Sequence, residues 1–378
     1  MAKSILNNVK ILGLKTVVPE RYIDIDDEIE FFDNNPKKLL RAKKMIGYGR
    51  RYLADEYTTV TDMAVDAAEK LFSEMHYDRD KIDLLIFVNQ KPDYMMPADA
   101  CLAHGRLNLK KDCAAIDIML GCSGYIYALW TAMSLMQTDT IKSCLLLAGD
   151  IASYKVLKEN RKAAQIFSDA ASATILEYQK AAEASYFVLG TDGKGWDKIV
   201  NPFGGIKLPL SEVELNSVVM DSAQNPWNYR HGIMQGEDVF NFSTEVAPRI
   251  MNELLNYAQI KIEDVDYFAI HQANKQIVDT IIEKTRIPSD KASSETFSKY
   301  ANNSTNSVIT VLCDQLYGKD VQKVVICAFG VGLSWGCCLI DFKDVYNGGI
   351  STFFQKNKIS REEQVNYWNN FYKGEKNE

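Results

Sequence analysis

The strongest constraint on the fold of this chain is one order of sequence patterns that occurs twice. An amphipathic helical stretch at 61–75 leads through a charged turn into the apolar run 82–88, and a second helical stretch at 243–258 leads in the same way into 265–270. Helical periodicity that alternates with short apolar runs is typical of α/β proteins. The repetition therefore predicts two related α/β units.

The order continues in the same way after both apolar runs. A helical stretch at 122–137 precedes the strand pattern at 144–150, and a helical stretch at 302–317 precedes the strand pattern at 323–330. The first strand pattern of each unit is also marked by an aspartate, at Asp83 and Asp266.

The two units divide the chain. The first occupies about 1–175, and we expect the two to pack as pseudo-symmetric halves of one globule. The segment at about 176–235 contains many Gly and Asn residues and predicts loops, so the second half with its connecting loops covers 176–345. A polar C-terminal extension, 346–378, remains. Within it, a Ser N-cap followed by Glu at N3 predicts a short helix at 360–372.

Composition excludes several functional classes. The 378 residues are 47% hydrophobic and 25% charged, which is typical of soluble globular proteins, and the net charge of −7 makes nucleic acid a poor partner. No run reaches the ~18 apolar residues of a membrane span, and the start of the chain has no apolar signal region. The eight cysteines form no CxxC pair and the four histidines lack ligand spacing to them. We expect a cytoplasmic protein with no metal, no bound cofactor and no membrane attachment.

Cys122 differs from the other cysteines in its place along the chain. It lies in LGCSGYIYAL, between a short apolar strand pattern and an apolar helical stretch. A cysteine before a helix meets the partial positive charge of the helix N-terminus, which stabilises its thiolate, and Gly121 and Gly124 allow a substrate to approach. Position alone leaves open whether Cys122 is a nucleophile or a buried structural residue.

Three segments of the second unit also lie where elements begin or end. His271 comes directly after a strand pattern, Asn302 and Asn303 open a helical stretch, and the glycine-rich segment 328–336 surrounds a strand end. Individually these are typical of a structural histidine, an N-cap and a tight turn. Together with Cys122 they form a nucleophile with two polar assistants, and 328–336 can supply a backbone N–H for an oxyanion.

These segments resemble the thiolase superfamily, and specifically β-ketoacyl-acyl-carrier-protein synthase III. HQAN at 271–274 is identical to the histidine motif of that family, GCSGYIYAL resembles its nucleophile motif, and YANNSTNSV resembles its asparagine motif, with Asn302 at the catalytic position. AFGVGLSWG resembles the C-terminal glycine-rich turn, KPDYMMPADA the segment after the first-half strand, and FSDAASA the FGDGAGA motif. The similarity runs in the family's order from about residue 9 to 343.

The resemblance implies a thiolase-like fold, a five-layered αβαβα globule, and a homodimer. It also implies that Cys122 takes an acyl group from acyl-CoA or an acyl carrier protein, before decarboxylative Claisen condensation with a malonyl-type thioester. His271 and Asn302 would stabilise the enolate, and the backbone N–H groups of Cys122 and Val331 would form the oxyanion hole. Asn274 would contact the pantetheine arm.

Some positions depart from the family pattern. Arg161 matches the arginine that stacks on the adenine of CoA, but no tryptophan precedes Trp130 to stack on the other face. Gln276 stands where an arginine often follows HQAN, and three glycines of FGDGAGA are replaced in FSDAASA. These departures favour a specialised relative over a CoA-primed housekeeping enzyme.

A basic cluster interrupts the acidic composition at 37–51. It can receive the phosphates of CoA or the acidic face of a carrier protein, and it can equally be a solvated helix face. Its members are Lys37, Lys38, Arg41, Lys43, Lys44, Arg50 and Arg51.

Three alternatives to condensation remain. Acyl transfer to an O or N nucleophile keeps the cysteine and often alters the asparagine. A 3-hydroxy-3-methylglutaryl-CoA synthase needs a glutamate base near the first-half strand end, where this chain has VNQKPDY. The third alternative is a non-enzymatic scaffold, in which no thioester would acylate Cys122. The presence of both His271 and Asn302 favours condensation.

Overall fold

The computed structural model describes residues 1–138, 140–157, 159–161, 163–222, 224–356 and 358–374. The helices are α1 (Pro36–Ile46), α2 (Val60–Met75), α3 (Asp99–Arg106), α4 (Gly124–Leu135), α5 (Glu212–Asn216), α6 (Gly236–Ala258), α7 (Lys275–Thr285), α8 (Glu295–Tyr300), α9 (Ser307–Gln315) and α10 (Arg361–Lys373). The strands are β1 (Ala2–Leu6), β2 (Val9–Pro19), β3 (Tyr22–Asp24), β4 (Arg50–Tyr52), β5 (Leu84–Asn89), β6 (Ala114–Met119), β7 (Ser143–Asp150), β8 (Ala170–Tyr178), β9 (Ser185–Thr191), β10 (Ile199–Val200), β11 (Val218–Met220), β12 (Pro226–Asn228), β13 (Ile233–Met234), β14 (Tyr267–Ile270), β15 (Lys323–Gly330), β16 (Ser334–Asp341) and β17 (Tyr346–Phe353).

Two sheets carry the repeated topology. The first has the order β17-β2-β8-β7-β5-β6, and the second has the order β1-β9-β16-β15-β14. In the first sheet β5 runs parallel to β7, which is antiparallel to β8. In the second, β14 runs parallel to β15, which is antiparallel to β16. The repeated sequence patterns therefore correspond to a repeated strand arrangement.

The layers follow from strands that are apolar on both faces. Leu84 and Ile86 of β5 face a core between the two sheets that includes α4 and α9, whereas Leu85 and Phe87 face an outer core with α2 and α3. A third core joins the outer face of the second sheet to α6 and α7. Successive side chains of a strand point to opposite faces, so a strand buried on both faces reads as a continuous apolar run. The resulting αβαβα order confirms the five-layered thiolase-like fold.

The predicted C-terminal helix is confirmed by α10. The Ser360 hydroxyl accepts the N–H of Glu363 at 3.2 Å, and the Glu363 carboxylate accepts the N–H of Ser360 at 2.6 Å. This reciprocal pair is a capping box. The helix lies beside the segment after β5, where the ring of Trp368 meets the ring of Tyr94 edge-on, with the centroids 5.8 Å apart.

Two strands correct the predicted division of the chain. β9 lies within 176–235, which was predicted to form loops, yet it pairs with both β1 and β16. β17 lies in the predicted polar extension 346–378, yet it pairs in parallel with β2 at the edge of the first sheet. A polar sequence is tolerated at this edge because most side chains of β17 are only half-buried. β1, from the predicted N-terminal half 1–175, lies in the second sheet, so the sheets cross the predicted boundaries. The end of the extension, 375–378, lies outside the described residues.

Candidate active site

Cys122 lies in the turn between β6 and α4, two residues before the first residue of the helix. The carbonyl of Gly121 accepts the N–H of Gly124 at 2.7 Å and closes this turn. The Cys122 side chain packs against Gly330, the last residue of β15. A Cβ atom placed on Gly330 would lie 2.8 Å from the Cβ and 2.9 Å from the Sγ of Cys122. The nucleophile turn of the first half therefore fits against a strand end of the second half only because residue 330 has no side chain.

Val331 continues the same contact. A Cβ atom on Gly121 would lie 2.9 Å from the Cγ2 of Val331. The Ser334 hydroxyl donates to the carbonyl of Val331 at 2.6 Å and lies 2.7 Å from the hydroxyl of Ser123. The structure thus brings Cys122 and Val331, the two residues assigned to an oxyanion hole, into adjoining turns.

His271 follows β14 directly and is buried, with 1% of its surface exposed. Its backbone N–H donates to the carbonyl of Cys327 at 2.9 Å, and its imidazole ring meets the ring of Phe329 edge-on, with the centroids 5.6 Å apart. Burial lowers the pKa of His271 from 6.5 to about 3. The imidazole is therefore neutral near pH 7 and carries a single N–H as its donor.

Asn302 is also buried and is not the N-cap of α9, whose N-cap is Asn306. Its backbone pairs with the segment around Phe167: its N–H donates to the carbonyl of Ile166 at 2.9 Å, and its carbonyl accepts the N–H of Ser168 at 3.0 Å. The side-chain oxygen of Asn302 accepts the N–H of Ser304 at 2.9 Å. This bond fixes the carboxamide so that its NH₂ group is left as the donor for another partner.

Hydrogen bonds join these segments to one another. The Thr305 hydroxyl, three residues after Asn302, lies 3.2 Å from the carbonyl oxygen of Gly121, next to Cys122. The N–H of Gln272, next to His271, donates to the hydroxyl of Ser307 at the start of α9 at 2.8 Å. Hydrogen bonds therefore join the segment that follows Asn302 to both the Cys122 turn and the His271 segment, which are distant from it in sequence.

Comparisons with known proteins agree with this arrangement. Residues 116–193 match the sequence model of 3-oxoacyl-(acyl-carrier-protein) synthase III, and residues 255–342 match the model of its C-terminal part. A protein of Campylobacter jejuni named 3-oxoacyl-(acyl-carrier-protein) synthase 3 is 37% identical over 349 residues, which are 92% of this chain and 98% of the relative. The chain belongs to the 3-oxoacyl-acyl-carrier-protein synthase III family.

Two further relatives support this membership. A β-ketoacyl-(acyl-carrier-protein) synthase III of Clostridium perfringens is 29% identical over 89% of this chain and 99% of its own. The crystal structure of a 3-oxoacyl-(acyl-carrier protein) synthase from Burkholderia xenovorans superposes with a TM-score of 0.84 at 31% identity, and it covers 93% of this chain and 99% of its own. The family resemblance and the thiolase-like fold are therefore both confirmed.

Asn274 and Arg161 of this synthase III chain have partners outside the cysteine and asparagine segments. Asn274 is the N-cap of α7, and its side-chain oxygen accepts the N–H of Ile277 at 2.9 Å. Its NH₂ group is then the part that can contact a pantetheine amide. Arg161 is exposed and lies 3.4 Å from Asp33, whose carboxylate also pairs with Lys38 at 2.6 Å. Arg161 is therefore next to the basic helix α1.

The basic cluster of this family member divides into surface and buried residues. Five of its members lie on α1: Lys37, Lys38, Arg41, Lys43 and Lys44. Arg50 is exposed and stacks on the ring of Tyr22, 4.2 Å from the centroid. Arg51 is only 6% exposed and forms an ion pair with Glu28, so its assignment to a carrier-binding surface is wrong. A guanidinium buried to this extent needs an opposite charge beside it, which Glu28 supplies.

A polar network beneath the site was not predicted from the sequence. Asp150 ends β7, Gln90 follows β5, and both contact the turn that carries Asn302. A charged residue at the end of the apolar run CLLLAGD is the signal that could have identified Asp150. Among the described residues, no cluster of three His, Cys, Asp or Glu is placed to hold a metal ion, and none of the helices has the length and apolarity to cross a membrane.

Proposed function

We propose that this chain extends an acyl thioester by decarboxylative Claisen condensation through an acyl-Cys122 intermediate. In the first step the Cys122 thiolate attacks the thioester carbonyl, a new C–S bond forms as the C–S bond to the donor breaks, and the donor leaves as a thiolate that takes up a proton from water. The packing of Cys122 against Gly330 and of Gly121 against Val331, with the Asn302 turn alongside, is the observation that carries this proposal. A cysteine in front of a helix N-terminus is also where a thiolate is stabilised.

In the second step a malonyl-type thioester loses CO₂, and the electron pair of the broken C–C bond forms an enolate. The neutral imidazole of His271 and the carboxamide NH₂ of Asn302 donate to the enolate oxygen. A neutral histidine suits this role because it donates a hydrogen bond without giving up its proton. The carbanion then attacks the acyl carbonyl of Cys122, the C–S bond breaks, and the β-ketoacyl product leaves a thiolate behind. The backbone N–H groups of Cys122 and Val331 stabilise the oxyanion in both acyl steps.

Buried Asn302 favours condensation over acyl transfer to an O or N nucleophile, which needs no enolate. The position beside the first-half strand end favours condensation over a 3-hydroxy-3-methylglutaryl-CoA synthase. That position is occupied by Gln90, whose carboxamide is not a base. The carboxamide lies next to the Cys122 turn, since a Cβ atom placed on Gly121 would be 3.2 Å from the Gln90 Cδ. The chemistry needs no bound cofactor, since Cys122 itself carries the acyl group.

The substrates and partners belong to the same proposal. Thioesters of CoA or of an acyl carrier protein are the acyl donors, and the exposed basic residues of α1 with Arg161 are the surface for their phosphates or acidic side chains. We also propose a homodimer, in a cytoplasmic setting. β6 is an edge strand, and exposed apolar side chains on it and in the segment after β5 offer a surface that a second copy would cover. These are Met95, Met96, Ile116 and Met119.

The first experiment measures the intact mass of the protein after incubation with acyl-CoAs and acyl carrier proteins of different chain length. An adduct that is lost in Cys122→Ala identifies the nucleophile, the donor and the acyl group. Absence of any adduct with every donor contradicts the proposal. Light scattering tests the dimer, and a mass near the 42.7 kDa of one chain contradicts it.

The second experiment separates acyl loading from condensation. Asn302→Ala removes a donor to the enolate but no atom of the nucleophile. We expect loading to persist, while condensation with a malonyl thioester falls about 100- to 1,000-fold. A wild type that loads Cys122, transfers the acyl group to an alcohol or amine, and forms no condensed product would instead favour acyl transfer to an O or N nucleophile.

A further inference from the structure

The carboxylate of Asp150 is the buried centre of the polar network beneath the site. Asp150 is the last residue of β7 and only 1% of its surface is exposed. One carboxylate oxygen accepts the N–H of Gln90 at 3.2 Å, and the other accepts the side-chain NH₂ of Gln90 at 2.8 Å. The second oxygen also accepts the hydroxyl of Thr305 at 2.9 Å and its N–H at 3.4 Å. A buried charge is retained at low cost only when donors surround it in this way.

Both partners of Asp150 continue to the catalytic segments. The side-chain NH₂ of Gln90 also donates to the hydroxyl of Ser304 at 2.5 Å, and the N–H of Ser304 holds the side-chain oxygen of Asn302. The orientation of the Asn302 carboxamide therefore depends on a turn that Asp150 holds from two sides.

The Thr305 hydroxyl also borders the nucleophile turn, 3.3 Å from the carbonyl oxygen of Leu120 and 3.2 Å from that of Gly121. Cys122 has additional support from its packing against Gly330 and from the hydrogen bond that closes its own turn. Loss of Asp150 thus removes more of the support of Asn302 than of Cys122.

We propose that Asp150 is a positioning residue that holds the Asn302 turn in the geometry needed for enolate stabilisation. The inference rests on the proposed condensation and adds a residue to it. Asp150→Asn keeps the size of the side chain but replaces one acceptor oxygen by an NH₂ group. That group meets donors, the side-chain NH₂ of Gln90 or the N–H and hydroxyl of Thr305, so the turn has to shift. A displacement near 1 Å at a catalytic group can cost about 100-fold in rate.

The test compares Asp150→Asn with Asp83→Asn. Asp83 joins the same two strands at their opposite ends, where its carboxylate accepts the N–H groups of Lys142 and Ser143. We expect Asp150→Asn to load Cys122 nearly as fast as the wild type by intact mass. We also expect its kcat for condensation to fall about 10- to 100-fold, with little change in the KM for the malonyl thioester. Asp83→Asn should lose stability only.

Two results would overturn the proposal. One is an equal loss of loading and condensation in Asp150→Asn, which indicates general disruption of the fold. The other is condensation at the wild-type rate. If Asp150→Asn does not fold, Thr305→Val replaces it, since this variant keeps the shape of the side chain and removes its bond to Asp150; the same two results then decide. A wild type that loads acyl groups but never condenses would instead reject the proposed function itself, and the inference with it.

Discussion

The two halves of the molecule are alike where their central strands begin. In the first half, the Asp83 carboxylate accepts the N–H groups of Lys142 and Ser143 and so joins β5 to β7. In the second half, the Asp266 carboxylate accepts the N–H groups of Gln322 and Lys323 and joins β14 to β15. In both halves, therefore, an aspartate before one strand accepts the backbone N–H groups at the start of the parallel strand beside it.

The halves differ where these strands end. β7 and β15 have the same length, but β7 ends in Asp150 and β15 ends in Gly330. The Asp150 carboxylate binds Thr305, before the α9 helix of the other half, whereas Gly330 makes room for Cys122, before the α4 helix of the other half. The strand beginnings therefore join strands of one sheet, whereas the strand ends contact the segments of the proposed catalytic residues, as ligand sites of parallel sheets generally lie at strand ends. Each half therefore contacts the segment of the other half that carries a proposed catalytic residue.

The largest effect that tests this comparison is expected from Gly330→Ala. The new methyl group would overlap the Cβ and Sγ of Cys122, at 2.8 and 2.9 Å, and would displace the nucleophile. We expect the rate of Cys122 acylation to fall about 100-fold, as measured by intact mass in samples quenched at successive times.

The matched control for that variant is Gly105→Ala in α3, where a Cβ would meet no atom within 4 Å. Alanine in a helix is more favourable than glycine by about 0.5–1 kcal/mol, so this control should fold at least as well as the wild type. Acylation of Gly330→Ala at the control rate would show that the end of β15 does not shape the nucleophile site.

The next effect concerns pH and the second half. Burial lowers the pKa of His271 from 6.5 to about 3, so below pH 6.5 the unfolded chain binds a proton that the folded chain does not. Stability therefore falls with falling pH, by about 2 kcal/mol from this histidine between pH 7 and pH 5. His271→Gln should remove that part of the pH dependence in urea unfolding at the two pH values.

Here the control is His76→Gln, which replaces an exposed histidine at the end of α2 and should keep the wild-type pH dependence. What matters is the change between the two pH values, because a buried glutamine lowers the absolute stability at both. If His271→Gln and His76→Gln lose the same stability between pH 7 and pH 5, His271 is not the buried neutral imidazole described above.

The smallest effects are expected from the shared strand beginnings. Asp83→Asn and Asp266→Asn should each lower the free energy of unfolding by about 1 kcal/mol, because asparagine keeps one acceptor oxygen and neither carboxylate is fully buried. Asp83 also pairs with Lys110 at 2.6 Å, so its variant should lose slightly more. Acylation and condensation should be unchanged in both. A loss of activity in either variant would show that the beginnings of the strands are coupled to the site.

Much of the architecture could be predicted because it depends on neighbours along the chain. Leu84 to Val88 read as a strand buried on both faces, and they are one. Ser360 and Glu363 predict a helix start because their capping box is local. Predictions failed where the surroundings override the local pattern. β17 is polar in sequence yet completes the first sheet beside β2, and Arg51 is charged yet buried against Glu28.

The candidate site also combines features that depend on the local sequence with features that depend on the surrounding structure. Periodicity and glycine positions are local signals, and they suffice to predict that Cys122 precedes a helix and that His271 follows a strand. That these ends contact each other's halves, that Gly330 packs on Cys122, and that the Asp150 carboxylate reaches Thr305 became visible only in the folded chain. Contacts between such distant residues depend on the packing of both sheets and the helices between them, and no single segment of the sequence contains that information.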